Sequence, residues 1–275
     1  MGNLTMQPSK IVQQIARKIQ WIQTHHWPIF RSRVQFCGLL LFGSKSISLS
    51  PKSTLIISPH QDDETLGCGG VIALKRAQNI AVNVLFITDG GASHCWHPDF
   101  KNGEISPVRH QEAIEALQIL GVEDAQVHFL DQPDGQLKWI SESVREAIVV
   151  QLTNHILAVQ PGEIYVTHRH DRSNDHEMTY TLIKTAIQRS GLTIDLLEYP
   201  IWILWKPLLF EDLSLQELSG AKRLSIGPVM RQKRKALEAY RSQYTPIGET
   251  TSTVLPKGFL WRFFLPYEVF FQRQD

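Results

Sequence analysis

From residue 54 onward the chain repeats one pattern: a short run of β-branched and aliphatic residues, then a longer segment whose apolar residues recur at helical spacing. "TLIIS" leads into a helical stretch through Val71, Leu74 and Ala77; "VNVLFIT", "QVHFL" and "EIYVTH" follow, each trailed by a further helical segment. Continuous apolar strands are buried on both faces, and strands that alternate with helices pair in parallel. The pattern predicts an α/β fold, a Rossmann-like three-layer sandwich with a mostly parallel sheet. Helix ends are also marked. Ser106 is placed to cap the second helix, with Pro107 at its first position, Ala113, Ile114, Leu117 and Leu120 on its buried face and Gly121 as its stop. Ser143 and Glu146 suggest a capping box for the third, whose apolar face is Val144, Ile148, Leu152 and Ile156. The fourth starts at Asn174 or Asp175, with Met178, Leu182, Ile183, Ala186 and Ile187 on one side.

A chain of 275 residues that is 43% hydrophobic can bury one substantial core. Its formal net charge of +1, with no Lys/Arg run interleaved with aromatics, excludes a nucleic-acid partner. Cys37, Cys68 and Cys95 form no disulfide framework and no CxxC pair, which places the chain in a reducing, cytoplasmic compartment. The first 61 residues stand apart: Lys10, Arg17, Lys18, Arg31, Arg33, Lys45 and Lys52 occur there without a single Asp or Glu. Ile11, Ile15, Ile19 and Ile22 recur at helical spacing, and "VQFCGLLLFG" is too short to span a bilayer. Three readings stay open: an extra helix packed on the core, a segment peripheral to the inner face of a membrane through residues 1–45, and an acid-poor targeting peptide. The expected organisation is a basic helical segment, 1–52, and a main domain, 53–275, with its motif-bearing core at 53–190 and a C-terminal completion at 191–275.

Ligands of such sheets bind beyond the carboxyl ends of the strands. There "LIISPHQDDETLGCGG" supplies His60, Asp62 and Asp63; the second strand supplies Asp89, Gly90 and Gly91, the third Asp131 and Asp134, and the fourth "HRHDRSNDH". Histidines and carboxylates without a reactive Ser or Cys in an elbow favour a metal hydrolase. A catalytic zinc takes three protein ligands and keeps one position for water. His60 and Asp63, at i and i+3 where strand passes into helix, can reach one ion together; His176, from another loop, is the best-placed third ligand. Asp62 is then free to take a proton from water. Taken alone, the Asp62–Asp63 pair reads equally well as a helix cap. "GCGG" lacks dinucleotide spacing and reads as close helix–sheet packing. His94, Cys95 and His97 in "SHCWH" fit no shared ion. "EYPIWILWKPLLF" reads as buried core, or alternatively as a strand leading into a substrate-lining loop, and Trp96 and Trp139 are candidate sugar contacts.

"PHQDDETLGCGG" resembles the signature of the PIG-L/LmbE family of zinc-dependent N-acetylglucosaminyl deacetylases: His, any residue, Asp, Asp, Glu, ahead of a Gly-rich turn. The similarity runs through "FITDG", "RHQEAIEALQILGV" and "DRSNDH", covers about residues 53–190, and echoes in "KRKALEAYRSQY" and "PYEVFF". It implies a deacetylase domain over 53–275 that binds Zn²⁺ through His60, Asp63 and His176 and uses Asp62 as general base. Arg109 and Glu112 would stand near the pocket, with Asp89, Gly90 and Arg109 toward substrate, and Asp171 and Asp175 would orient the metal-site loop. The implied partner is a small molecule or glycoconjugate carrying an N-acetyl sugar; an amidase on a larger sugar-linked amide and a catalytically weakened sugar-binding or membrane-associated module are the alternatives. One departure matters: Ser173 stands where many relatives carry a histidine, three residues before the ligand His176. Either His168 or His170 swings in, or Asp62 shuttles the proton, or activity is lost.

Overall fold

In the computed structural model, which describes residues 10–21, 27–203, 205, 213, 215–248, 251–256 and 258–272, Leu55, Ile56 and Ile57 are fully buried. Side chains alternate across a strand, so such a run needs an apolar layer on each face. The helices supply both. In chain order the elements are Lys10–Trp21 (α1), Trp27–Gly38 (α2) continued by a π-turn at Leu39–Gly43, Lys45–Ile47 (β1), Thr54–Ser58 (β2), Asp63–Ala77 (α3), Val82–Thr88 (β3), Ser106–Ile119 (α4) and Val127–Gln132 (β4). Glu142–Val159 (α5), Glu163–Thr167 (β5), Asn174–Ser190 (α6), Asp195–Tyr199 (β6), Leu215–Ser219 (α7), Ala221–Ser225 (β7), Met230–Leu237 (α8), Arg241–Tyr244 (α9) and Tyr267–Phe271 (β8) complete them.

The strands form one sheet in the order β1-β7-β8-β6-β5-β2-β3-β4, parallel except that β8 runs against both β6 and β7. Ile56, Val84 and Phe86 meet α3, α4 and α8 on one face; Leu55, Ile57, Leu85, Ile164 and Val166 meet α5 and α6 on the other. Three layers result, as the periodicity predicts. Strand order reverses between β2 and β5, and that switch point is where an open α/β sheet leaves a crevice.

Two helix starts differ from expectation. Ser106 is the first residue of α4 rather than its cap, and its hydroxyl donates back to the Gly103 carbonyl at 2.9 Å. Ser141, not Ser143, caps α5, accepting from Val144 N at 3.3 Å, while Glu146 pairs with Arg189 on α6. The boundary at 52/53 does not separate a folding unit: β1 pairs with β7, and Phe36, Leu39 and Leu40 are buried against Ala221, Val269 and Phe271. Ile22 lies outside the described residues, and Ile15 on α1 is exposed. Phe259, Phe263, Phe270 and Phe271 of the aromatic tail are core. No helix among the described residues is long and apolar enough to cross a membrane.

The glycines of α3 allow close approach, as "GCGG" suggests. A Cβ on Gly67 would stand 2.2 Å from the ring of Tyr199, whose hydroxyl donates to Ile57 O, and one on Gly70 would stand 2.4 Å from Ile226. At Gly69 the nearest atom, at 3.2 Å, belongs to the side chain of Lys233. Urea unfolding is expected to show Gly67→Ala less stable by about 2 kcal/mol, the cost of overpacking, whereas in Gly69→Ala the helix-propensity gain of about 1 kcal/mol offsets a small adjustment. Beside these glycines Lys233 and Glu268 form a buried ion pair at 2.7 Å, and Glu268 also accepts from Gly70 N and Val71 N. "KRKALEAYRSQY" and "PYEVFF" thus contribute the two halves of one contact beneath α3.

Candidate metal centre and active site

β2 ends at Ser58, and the turn into α3 sets out His60, Asp62 and Asp63 at the crevice. His60 Nδ1 lies 3.1 Å from Asp63 Oδ2, and His176 Nε2, from the first turn of α6, lies 3.2 Å from each of those atoms. Ligands about 2.1 Å from a tetrahedral ion stand about 3.4 Å apart, so this near-equilateral triangle has the dimensions of one face of such an ion's shell. The donor set, two imidazoles and a carboxylate, suits a metal ion.

Each imidazole is held by its other nitrogen. His176 Nδ1 lies 2.7 Å from Asp171 Oδ2, while Asp171 Oδ1 accepts from the backbone N–H groups of Ile201, Trp202 and Ile203, each at 3.0 Å. His60 Nε2 lies 3.0 Å from Asp134 Oδ1 and 3.4 Å from Asp175 Oδ2. Such carboxylates fix ring orientation and tautomer. His60, Asp134 and Asp175 are a second set of converging donors, but Asp134 already accepts from Ala92 N and Asp175 from Gly135 N and Leu137 N. Burial disfavours a charged His176, yet Asp63 and Asp171 outweigh it and raise its pKa to about 9. Burial alone would raise Asp63 too, but His176 and His60 pull it well below the carboxylate range.

Asp62 occupies the cap position of α3, yet its side chain makes no cap hydrogen bond, which removes the helix-cap reading. Its φ of +146° is a region that costs a non-glycine residue about 1–3 kcal/mol. The turn is held by Asp62 N donating to Glu64 at 3.1 Å and by Leu66 N donating to Asp62 O at 2.9 Å. Glu64 in turn accepts from the Tyr240 hydroxyl. Burial, then the neighbouring Asp63, push the Asp62 carboxyl up, against Arg109, whose Nη2 is 3.6 Å from Asp62 Oδ1. Arg109 also donates to Gln61 O at 2.7 Å and to Gly90 O at 3.2 Å, so its guanidinium ties two loops together.

A cleft of about 560 Å³ opens over these groups, lined by His60, Asp62, Asp63, Arg109, Asp134 and Ser173 and, on its apolar side, by Leu66, Ile201, Trp202 and Leu255. Asp89 and Gly90 stand behind the wall: the Asp89 carboxylate accepts from Gly91 N and Asp134 N, and left-handed Gly90 offers its carbonyl to Arg109. His168 is fully buried, and burial lowers its pKa to about 3; half-exposed His170 lies 3.4 Å from Glu217. Neither lines the cleft. Asp131 turns away to His110, Trp96 and Trp139 are exposed outside the cleft, and His94 faces the Ser242 carbonyl at 3.1 Å. Glu112 accepts from Ser242 N and Oγ, fixing the segment that places Gln243 in the wall.

The third strand offers both Asp131 and Asp134, and it is Asp134, between Pro133 and Gly135, that lines the cleft; Trp202 lies in the stretch read as leading into a substrate-lining loop. Gln243 and Leu255 escape the sequence reading as site residues, and nothing local marks them.

A His–Asp–His cluster at the switch point of a mostly parallel sheet, with an uncommitted carboxylate and an arginine beside it, is the layout of a metal-assisted hydrolase. Residues 55–187 match the family described as PIG-L, GlcNAc-PI de-N-acetylase. It is 26% identical over 163 residues to the uncharacterized deacetylase YaiS of Escherichia coli K12, covering 58% of this chain and 82% of YaiS. It is 32% identical over 145 residues to the probable N-acetyl-alpha-D-glucosaminyl L-malate deacetylase 2 of Bacillus subtilis 168, covering 49% of this chain and 60% of that protein. The fold is shared with the 4-carboxy-2-hydroxymuconate hydratase GalB of Pseudomonas putida KT2440, at a TM-score of 0.57 and 20% identity over 78% of this chain and 82% of that one.

Proposed function

We propose that this chain is a zinc-dependent hydrolase that removes the acetyl group from an N-acetylated amino sugar or a conjugate of one. The observation that carries the reading is the triangle of His60, Asp63 and His176 with Asp62 buried beside it and uncommitted to any cap. The named deacetylases among its relatives support the same bond type. His60, Asp63 and His176 would hold the zinc ion, which would supply Lewis acidity toward the amide carbonyl and acidify water near neutral pH. Asp62 takes a proton from the water that attacks the acetyl carbon, and Arg109 holds the carboxylate in place. As the C–N bond breaks, Asp62 returns the proton to the leaving nitrogen, so acetate and the free amine depart. His168 and His170 do not line the cleft, which supports Asp62 as the proton carrier. Asp134, Ser173 and Asn174 offer hydrogen bonds to sugar hydroxyls, and Trp202 an aromatic face.

The apolar side formed by Leu66, Ile201, Trp202 and Leu255 also favours a second reading, an amidase on a larger sugar-linked amide. Zinc analysis together with acetate release from N-acetylglucosamine and a panel of its conjugates tests both. Zinc bound at one equivalent with acetate released is the expected result. Release of a longer acid instead supports the amidase, and a zinc-loaded protein that cleaves nothing would make it a sugar-binding module. Ser173→His, which places an imidazole in the cleft, is expected to raise kcat by about tenfold or more at unchanged zinc affinity. No gain would place proton delivery wholly with Asp62.

A further inference from the structure

We propose that the exposed apolar side of α2 and of its π-turn is a docking face for a bilayer surface carrying anionic headgroups. α2 is sided twice. Ser32 and Phe36 face the fold, as do Leu39 and Leu40 of the turn, and the last three pack with Ile203, Ala221 and Phe271. The Phe36 ring lies 6.4 Å from that of Trp261, and Arg33 stands 5.1 Å over the same indole, so the helix is fixed to the core by its inner side. On the outer side Trp27, Phe30 and Val34, at i, i+3 and i+7, are 60%, 57% and 54% exposed, and Leu41 and Phe42 are 68% and 90% exposed. The water side of a packed helix ordinarily carries polar residues, and a contiguous patch of large apolar groups marks an interaction surface. The patch is contiguous at its start, where the Trp27 and Phe30 rings lie 5.8 Å apart.

Charge selects the occupant. Arg17, Lys18, Arg31 and Lys45 are exposed along the same segment, and residues 1–61 contain no Asp or Glu. A second copy of this chain would bring like charge against like. Anionic lipid brings the opposite sign, and indole and phenyl rings suit the headgroup boundary. Because no helix among the described residues can cross a membrane, the contact is one of lying on the surface. The helix that carries the face also packs close to the cleft. Phe259, packed 4.6 Å from the cleft residue Trp202, lines with Ile29 and Phe36 the small cavity under α2. The inference does not depend on the proposed reaction.

The full chain is tested by co-sedimentation with vesicles of equal phosphatidylcholine and phosphatidylglycerol, and with phosphatidylcholine alone, at low and high salt. Binding is expected only with phosphatidylglycerol, falling about tenfold or more at high salt. The double variant Phe30→Ser/Phe42→Ser, checked for an unchanged urea midpoint, is expected to lose about tenfold or more in partition, and Arg17→Glu/Lys18→Glu/Arg31→Glu to lose the salt-sensitive part. Failure of the full chain to sediment with phosphatidylglycerol at low salt overturns the proposal. So does a dimer in velocity sedimentation that Phe30→Ser/Phe42→Ser converts to monomer, since a second copy would then own the face.

Discussion

Asp62→Asn is expected to retain a full equivalent of zinc and to lose about two to four orders of magnitude in acetate release, the range a positioned general base contributes. His60→Ala, Asp63→Ala and His176→Ala are expected to lose the metal itself. The separation follows from geometry: three atoms form the triangle, and Asp62, one residue from Asp63, stands outside it with Arg109 as its neighbour. An amide cannot accept a proton from water, yet it fits the same strained turn, because the turn is held by backbone groups and Glu64. Metal content by plasma emission and acetate by a coupled assay read the two effects independently. A metallated Asp62→Asn protein with near-normal turnover would remove Asp62 from the reaction.

Asp171 yields the second large effect, on two different observables. One of its oxygens meets His176 Nδ1 and the other accepts three buried backbone N–H groups. In Asp171→Asn the amide oxygen can keep the three backbone bonds, which leaves the NH₂ group facing Nδ1. That forces the ring proton onto Nε2, the atom that faces the triangle, so zinc affinity is expected to fall about 10- to 100-fold with little change in stability. Asp171→Ala additionally strands the three donors, each at about 1–3 kcal/mol, a large part of a typical 5–15 kcal/mol stability. Zinc titration against a chelator and urea unfolding separate the two variants. Equal zinc affinity in Asp171→Asn and the parent would show that the contact does not set the tautomer.

The layers were legible because strands buried on both faces write themselves as apolar runs, and the helices opposite them as 3.6-residue periods. The triangle was legible because its first two members share one turn and the third opens a helix after another strand. What escaped depends on partners distant in sequence. Ser141 rather than Ser143 caps α5 because the chain enters that helix from a turn pinned by Asp175 to Gly135 and Leu137. Asp134, two residues past Gln132, enters the cleft, whereas Asp131, at φ +51°, points to His110; turn geometry decides between them. Trp202 reaches the wall, while Trp96 and Trp139 do not, because the three amides that bind Asp171 fold residues 201–203 toward His176. The Lys233–Glu268 pair, joining a helix to a strand in reversed orientation, leaves no local trace in the sequence.

That reversed strand governs the order in which the molecule can assemble. β8 lies between β6 and β7, and β1 reaches the sheet only through β7, so residues 45–47 are joined to β6 by way of residues 267–271. The five strands β6-β5-β2-β3-β4 pair among themselves within residues 54–199, while β7 and β8 come from residues 221–271 and β1 finds its partner only where Lys45 meets Lys222. The end of the chain completes the sheet, so the switch-point crevice can take shape while the β6 edge still offers unpaired backbone groups. Until β8 arrives, Glu268 is not there to receive Gly70 N, Val71 N and Lys233, and the nascent His–Asp–His cluster sits on a helix whose underside is unfinished.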